Sequence, residues 1–397
     1  MSVFQRGDYL LPREEFLPVW PVIACDQFTS QPEYWQKTAA LVGDAPSAYH
    51  IIFPEAQLGG DEQGRIEAIN SAMTDYLNTG VFRSCPDCYV YVERSLCDGS
   101  VRRGLVGVVD LECYDYHDKT AAPIRATEKT VVSRIPPRVR IRSGAPIETS
   151  HVLLLCADKK DRLLGSVEKG ELLYDLELMQ GGGRLRGWLV SGTPADRFDR
   201  ELDAYVSQAP DGFAFAVGDG NHSLASAKAC WEKLKEQDPT LIGSSHPARY
   251  AMVELENLFD DSQRFEAIHR IVSGVDCKAL LSQLEKEAAG EGESVEWICG
   301  TGRGTLRFDA DVLPVAALQK AIDAWLGEYG GEVDYIHGAE VAAALAQQEN
   351  TIAFLLPAIE KDSLFSGIIH GGVLPRKTFS MGHAVEKRYY LECRKTR

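Results

Sequence analysis

The segment FAFAVGDGNHSLASAKACWEKLKEQ (213–237) constrains this chain more than any other. Phe213 to Val217 is a short apolar run closed by Gly218, the pattern of a buried strand. From His222 onward, Leu224, Ala227, Trp231 and Leu234 recur at helical spacing, with Glu232, Lys233 and Lys235 on the other side. Gly218-Asp219-Gly220-Asn221 must therefore turn a strand into a helix within four residues. Two glycines supply the backbone freedom, and Asn221 or Ser223 is expected to cap the helix. Such a unit belongs to α/β folds, and it aims backbone N–H groups and the positive end of the helix dipole at one point. A phosphate suits that point. His222 adds a donor, and Asp219 is a candidate to hold a divalent cation, Mg²⁺, between phosphates. A capped helix in which Asp219 and His222 only satisfy local hydrogen bonds fits the same pattern.

The rest of the chain alternates in the same way. Apolar faces at helical spacing predict helices over 31–42, 64–80, 277–289, 311–330 and 339–348. Short apolar or alternating runs predict strands over 89–94, 105–112, 249–255, 294–300, 305–310 and 351–357. The expected fold class is α/β (α+β), mixed sheets with flanking helices. A length of 397 residues leaves room for roughly two to three domains. Turn formers cluster near 113–123 and 237–247. The regions expected are an N-terminal α/β region (1–115), a phosphate-binding core (116–240) and a C-terminal α/β region (241–397) that contributes to the site.

Charge and motifs narrow the function. Lys and Arg total 42 against 58 Asp and Glu, a formal charge of −16. That disfavours a broad footprint on nucleic acid or an anionic membrane. Apolar stretches such as 151–157 and 352–359 are too short to span a bilayer. The first residues form no basic-then-apolar leader, so the expectation is a cytoplasmic protein whose ten cysteines are reduced. Cys85 and Cys88 form the one Cys-x-x-Cys, without the second pair that a structural zinc site needs. There is no Gly-x-x-x-x-Gly-Lys-[Ser/Thr] loop, no Gly-x-Ser-x-Gly elbow, no His-Glu-x-x-His and no strict Gly-x-Gly-x-x-Gly. The glycine-rich GGGRLRG (181–187) and GTGRG (300–304) adjoin strand-like runs and read as turns.

A second segment stands out against the acidity. Arg125, Lys129, Arg134, Arg138, Arg140 and Arg142 put six cations into eighteen residues. VRIR (139–142) alternates, which predicts a strand with its arginines on one face. Glu128 is the carboxylate among them. Kept ionised by its neighbours, it is a candidate base toward a hydroxyl held beside it. A solvated, salt-bridged edge strand is the alternative.

In order along the chain, these segments resemble the motifs of a domain-of-unknown-function family that includes the free L-serine kinases and is related to the ParB/sulfiredoxin-like fold. GDGNHS (218–223) is similar to the family's Asp-Gly-His-His-Arg signature, and RATEKT (125–130) to its Arg-x-His-Glu-x-Thr stretch. VIACDQFTSQPEYW (22–35) resembles its Pro-Tyr-Asp stretch, and AIHRIV (267–272) its His-Arg segment. VLPRKTFSMGH (373–383) resembles its Pro-x-Lys-[Ser/Thr] segment, so that the matches span nearly the whole chain.

The resemblance implies a ParB/sulfiredoxin-like core with N-terminal and C-terminal α/β extensions. It also implies a nucleotide-dependent kinase that, with Mg²⁺ and ATP or ADP, phosphorylates the hydroxyl of a free amino acid, L-serine first. Glu128 would be the catalytic base, and Gly218, Asp219, Gly220, Asn221, His222 and Ser223 the phosphate and nucleotide site. Arg125, Thr127, Thr130, His269, Arg270, Lys377 and Thr378 would belong to a substrate or phosphate pocket. Asn221 and Ser223 stand where the family has His and Arg, and Thr127 where it has His. Lys228, Arg125 and Arg270 are the candidates to replace that arginine. Asn221 also takes the place of the sulfiredoxin cysteine, which sets that chemistry aside, because an amide is no nucleophile. The rival class is a regulatory protein that binds a nucleotide or phosphometabolite without turnover.

Overall fold

The computed structural model describes residues 2–130, 135–288, 290–310 and 312–397, with backbone alone at 136 and 137. Two sheets dominate. From edge to edge the larger, mixed sheet runs Tyr114–Asp115, Ile124–Ala126, Phe215–Asp219, Leu153–Cys156, Tyr250–Asn257, Val101–Asp110, Phe82–Ser95, Gly7–Pro12, Cys393–Lys395 and Ile147–Thr149. The smaller is antiparallel: Gly302–Arg307, Ser294–Cys299, Thr351–Leu355, Phe265–Ser273 and Glu332–His337. Phe379–Met381 pairs with the start of Phe265–Ser273. The fold is thus α/β with flanking helices. Strands drawn from all three sequence regions join the larger sheet.

Side-chain alternation buries both faces of that sheet. Val90, Val92, Val106 and Val108 join a core with Trp20, Trp35, Ile66, Ile69 and Met73. Their neighbours Tyr89, Tyr91, Leu105 and Val109 face the other way, into a core with Phe4, Phe198, Phe215 and Trp231. Full burial of each such side chain stabilises the fold by roughly 1.5–3 kcal/mol before conformational entropy is counted. A third cluster, which includes Leu155, Ala216, Leu364, Leu374, Phe379 and Met381, welds the two sheets together.

Most predicted elements are present with shifted ends. The helices are Pro32–Val42, Glu62–Asn78, Cys277–Glu287, Pro314–Tyr329 and Ala339–Leu345. Both glycine-rich segments close a hairpin and run on into its second strand, between Leu172–Glu177 and Arg184–Val190 and between Ser294–Cys299 and Gly302–Arg307. Cys85 and Cys88 lie in the Phe82–Ser95 strand, and the Cys88 thiol donates to the Cys85 carbonyl (3.3 Å). Among the described residues no helix is long and apolar enough to cross a membrane.

One prediction is corrected. Residues 139–142 are not a strand but part of the Ile135–Ser143 helix, which packs on the Asn221–Gln237 helix. Pro136 and Pro137 fall in its first turn, where a fixed φ and a missing N–H cost nothing. Arg140 and Arg142, two residues apart on a helix, do not share a face, whereas Arg138 and Arg142, four apart, do. Arg138 pairs with Glu55, Arg140 with Glu62 (3.2 Å) and Arg142 with Glu148. Arg134 lies outside the described residues.

Candidate functional site

Three strand ends meet at one edge of the larger sheet. Ile124–Ala126 and Phe215–Asp219 are parallel, with Ala126 opposite Val217, so Glu128 and Asp219 leave the sheet side by side. Leu153–Cys156 is antiparallel to the second of these and brings His151 to the same edge. Ligands gather where the carboxyl ends of strands open in an α/β sheet. Thr127 ties the two exits together. Its hydroxyl donates to the Val217 carbonyl (2.7 Å), and the Asn221 amide donates to it (3.4 Å).

The turn at 218–221 forms as its glycines require. Gly220 is the residue before the helix, at φ +78°, a conformation that side chains resist. Among the described residues no side chain caps the helix: Asn221 is its first residue and Ser223 its third, which corrects the expected cap. The backbone ladder of the helix begins with Leu224 N–H to the Gly220 carbonyl (3.0 Å). The amides of 221–223 therefore precede the ladder, at the positive end of a 17-residue helix, in the wall of the cleft.

The two carboxylates have opposed surroundings. Asp219 accepts from the Gly220 N–H (2.8 Å) and pairs with the Lys387 ammonium (3.1 Å). Burial opposes its charge, but Lys387, His151 and that amide outweigh it and hold the carboxyl below its ordinary value. Glu128 accepts the backbone N–H of Lys377 (3.0 Å) on one oxygen and of Thr378 (2.9 Å) on the other. Burial dominates here. It pushes the Glu128 carboxyl above its ordinary value against the pull of those amides and of Lys377, and Asp219 adds to the rise. The loop that holds Glu128 is bonded to its strand as well, with Leu374 N–H on the Thr127 carbonyl and Lys129 N–H on the Leu374 carbonyl (both 2.8 Å).

All of this faces a cleft of about 1080 Å³ between the sheets. Glu128, Lys377 and all of residues 218–223 line it. Six other candidates do not. Arg125 is buried, donates to the Asp211 carbonyl and carboxylate and stacks on Phe213. Strand alternation turns it away from Glu128, three residues on. His269 accepts from Leu356 N–H (3.1 Å) inside the smaller sheet, Arg270 is fully buried, and Thr127 and Thr130 are buried as well. Thr378 meets the site through its amide alone, its hydroxyl donating to the Pro375 carbonyl (2.5 Å). Lys228 is held by the Leu111 carbonyl (2.9 Å) and Glu232 (2.8 Å), so neither it nor Arg125 nor Arg270 stands in the cleft as a replacement arginine.

The basic side chains that line the cleft include Lys387, Arg376, Lys377, Arg138, His151 and His383. Lys387 is the important residue that sequence reading misses. It follows the last matched motif and carries no pattern of its own; the Arg94 guanidinium, bonded to its carbonyl, helps to fix it. His383 ends a matched segment, which is the only signal that could have found it. A smaller apolar branch of about 160 Å³ opens off the cleft at Cys25, Glu55, Arg138, His151 and Ser223, with Ile51, Phe53, Met73, Ile141 and Ile147 inside.

Among the described residues no three His, Cys, Asp or Glu side chains gather as a metal cage. Asp219 is a single ionised carboxylate beside the phosphate-suited amides. That fits Mg²⁺, which takes one or two carboxylates and draws its other ligands from phosphate and water.

Fold and site together define an α/β protein with a cleft at converging strand ends, walled by a helix N-terminus. The family described as "Protein of unknown function (DUF1015)" matches residues 8–396, and the chain belongs to it. No curated protein matches the sequence. Among solved structures, a mutant free serine kinase in complex with ADP is 13% identical, with a TM-score of 0.40 over 71% of this chain and 94% of that one. A free serine kinase in complex with AMP is 14% identical, with a TM-score of 0.39 over 71% and 92%. A conserved hypothetical protein from Pyrococcus furiosus is 14% identical, with a TM-score of 0.35 over 68% and 90%.

Proposed function

We propose that this protein is a nucleotide-dependent kinase that phosphorylates the hydroxyl of a free amino acid, L-serine first. One observation carries the reading. A helix N-terminus suited to phosphate and two carboxylates of opposed acidity share one cleft. Acids whose environments push them apart are how one site runs both charge binding and proton transfer.

The phosphates of ATP or ADP lie against the amides of 221–223, with His222, Lys387 and Lys377 around them. Asp219, kept ionised, is the residue that would hold Mg²⁺, and a bound ion neutralises charge between the phosphates. Asn221 points toward Thr127, whereas Ser223, about 200° further round the helix, faces the apolar branch. The nucleobase takes that branch, which leaves the terminal phosphate toward Glu128.

Glu128 receives the proton of the amino-acid hydroxyl while the new O–P bond forms and the bond to the leaving phosphate oxygen breaks. Each of its oxygens accepts one amide and keeps a second lone pair for the substrate. Little else is asked of the protein, since phosphoryl transfer rests on positioning and charge stabilisation. A regulatory protein without turnover is favoured by Ser223 in the place of an arginine. Mass spectrometry of reactions with ATP or ADP, Mg²⁺ and serine, threonine or homoserine separates the two. A phosphoester of one of them is the expected product; bound nucleotide with no phosphoester in any mixture supports the regulatory class instead.

A further inference from the structure

Arg270 is fully buried in the Phe265–Ser273 strand, and its hydrogen bonds run to uncharged oxygens. The guanidinium donates to the carbonyls of Lys377 (2.8 Å), Arg376 (3.3 Å) and Ile268 (2.5 Å) and to the Gln319 side-chain oxygen (3.0 Å), and it stacks on Tyr335. A buried cation ordinarily meets a carboxylate. The one that matches it stands beyond the loop.

The Arg376 carbonyl and the Lys377 N–H are the two ends of one planar trans peptide, and the Lys377 carbonyl and Thr378 N–H are the two ends of the next. Arg270 holds both carbonyl ends, and Glu128 accepts from both N–H ends. Two parallel peptide groups thus join one guanidinium to one carboxylate, each dipole aligned with the charges at its ends. Lys377, between them, sits at φ +56°, a conformation uncommon for a residue with a side chain.

We propose that Arg270 is a positioning residue that sets the aim and the proton affinity of Glu128 through these two peptide groups. The inference rests on Glu128 serving as the base. Among the described residues, the other charges that face Glu128 include Lys377 on the loop and Asp219 on the neighbouring strand exit, with Lys387 behind Asp219. The Arg270 guanidinium and the Glu128 carboxylate attract one another, so the loss of Arg270 is expected to leave Glu128 more readily protonated.

The test is an NMR titration of the full chain with ¹³C-labelled glutamate and ¹⁵N-labelled backbone and arginine, the Glu128 signal being assigned by its loss in Glu128→Gln. In the unsubstituted protein, Glu128, the amides of Lys377 and Thr378 and the Arg270 guanidinium are expected to move with one midpoint. In Arg270→Met the Glu128 midpoint rises by about one unit or more, a tenfold gain in proton affinity. In Arg270→Lys the rise is smaller, one ammonium being unable to match the planar fork. A folded Arg270→Met with an unmoved Glu128 midpoint overturns the proposal. If neither variant folds, an Arg270 guanidinium that ignores the Glu128 titration in the unsubstituted protein overturns it equally. The titration needs no turnover, so a protein that transfers no phosphate yet shows the shared midpoint defeats the kinase reading alone. In an active protein, Arg270→Met also shifts the acidic limb of the kcat profile upward and leaves the nucleotide KM within about twofold.

Discussion

Glu128 and Asp219 are ninety-one positions apart in sequence and adjacent in space, and each owes its character to residues remote in sequence. Asp219 is acidic because Lys387 reaches it, and Glu128 is less acidic because its burial outweighs the amides that the 374–378 loop gives it. Lys387→Met removes the ammonium that offsets the burial of Asp219. The Asp219 carboxyl is expected to rise toward its ordinary value, and ADP to bind about tenfold more weakly at low salt, with the difference shrinking as salt rises. Calorimetric titration at two ionic strengths checks this, and equal affinity in both proteins contradicts it. Glu128 and Asp219 were legible in the sequence because each sits in a short motif whose residue types imply its chemistry. Lys387 was not, because a lone lysine acquires meaning only from the fold. Arg270 was legible as a residue of interest, but its direction was not: alternation along a strand cannot say which face meets the ligand.

At the scale of the element, the strand-to-helix turn depends on Gly220. A Cβ there meets Val152 Cα and Cγ2 at 3.0 Å, and the left-handed backbone itself costs an L side chain roughly 1–2 kcal/mol. Gly220→Ala is therefore expected to lower the melting temperature and to weaken pyrophosphate binding together. Gly218→Ala meets the Leu155 and Met381 side chains at 2.9 to 3.0 Å, groups that can shift, and should cost less. Thermal melts and pyrophosphate titrations of the two variants give the order; Gly218→Ala proving the worse of the two would contradict it. This turn was readable because glycine and helical periodicity are local signals. The Ile135–Ser143 helix was not: four residues of alternation imitate a strand, and the ion pairs that hold the helix reach back as far as Glu55.

At the scale of the molecule, residues beyond 373 complete the larger sheet and the site at once. They supply the Cys393–Lys395 strand, the amides on Glu128, Lys387, and Arg388, which pairs with the buried Glu254 (2.6 Å) and Glu392 (2.7 Å). The α/β class was legible in the alternation of short runs; the order of strands, set by pairings hundreds of residues apart, was not. Behind the site lies a buried row of charges, in which Glu256 stands out. Burial pushes its carboxyl up to about 7 despite Arg102 beside it, and Glu254 adds to the rise. With its folded value above its unfolded one, Glu256 favours the folded state at low pH, and that contribution is lost as pH rises through about 7. Melting temperatures between pH 5 and 8 should fall toward the alkaline end, and Glu256→Gln should flatten the decline. An unchanged slope in Glu256→Gln would assign it to other groups.

The central claim is phosphoryl transfer with Glu128 as base, and phosphorus NMR tests it most directly. The protein is mixed with Mg²⁺, L-serine and either ATP or ADP, beside Glu128→Gln under the same conditions. The account predicts an O-phosphoserine resonance that grows with one of the donors and slows by about 10²–10⁴ in Glu128→Gln, while nucleotide line broadening persists in both proteins. An O-phosphoserine signal that grows equally fast in Glu128→Gln, or nucleotide bound with no phosphorylated product in either protein, would contradict it.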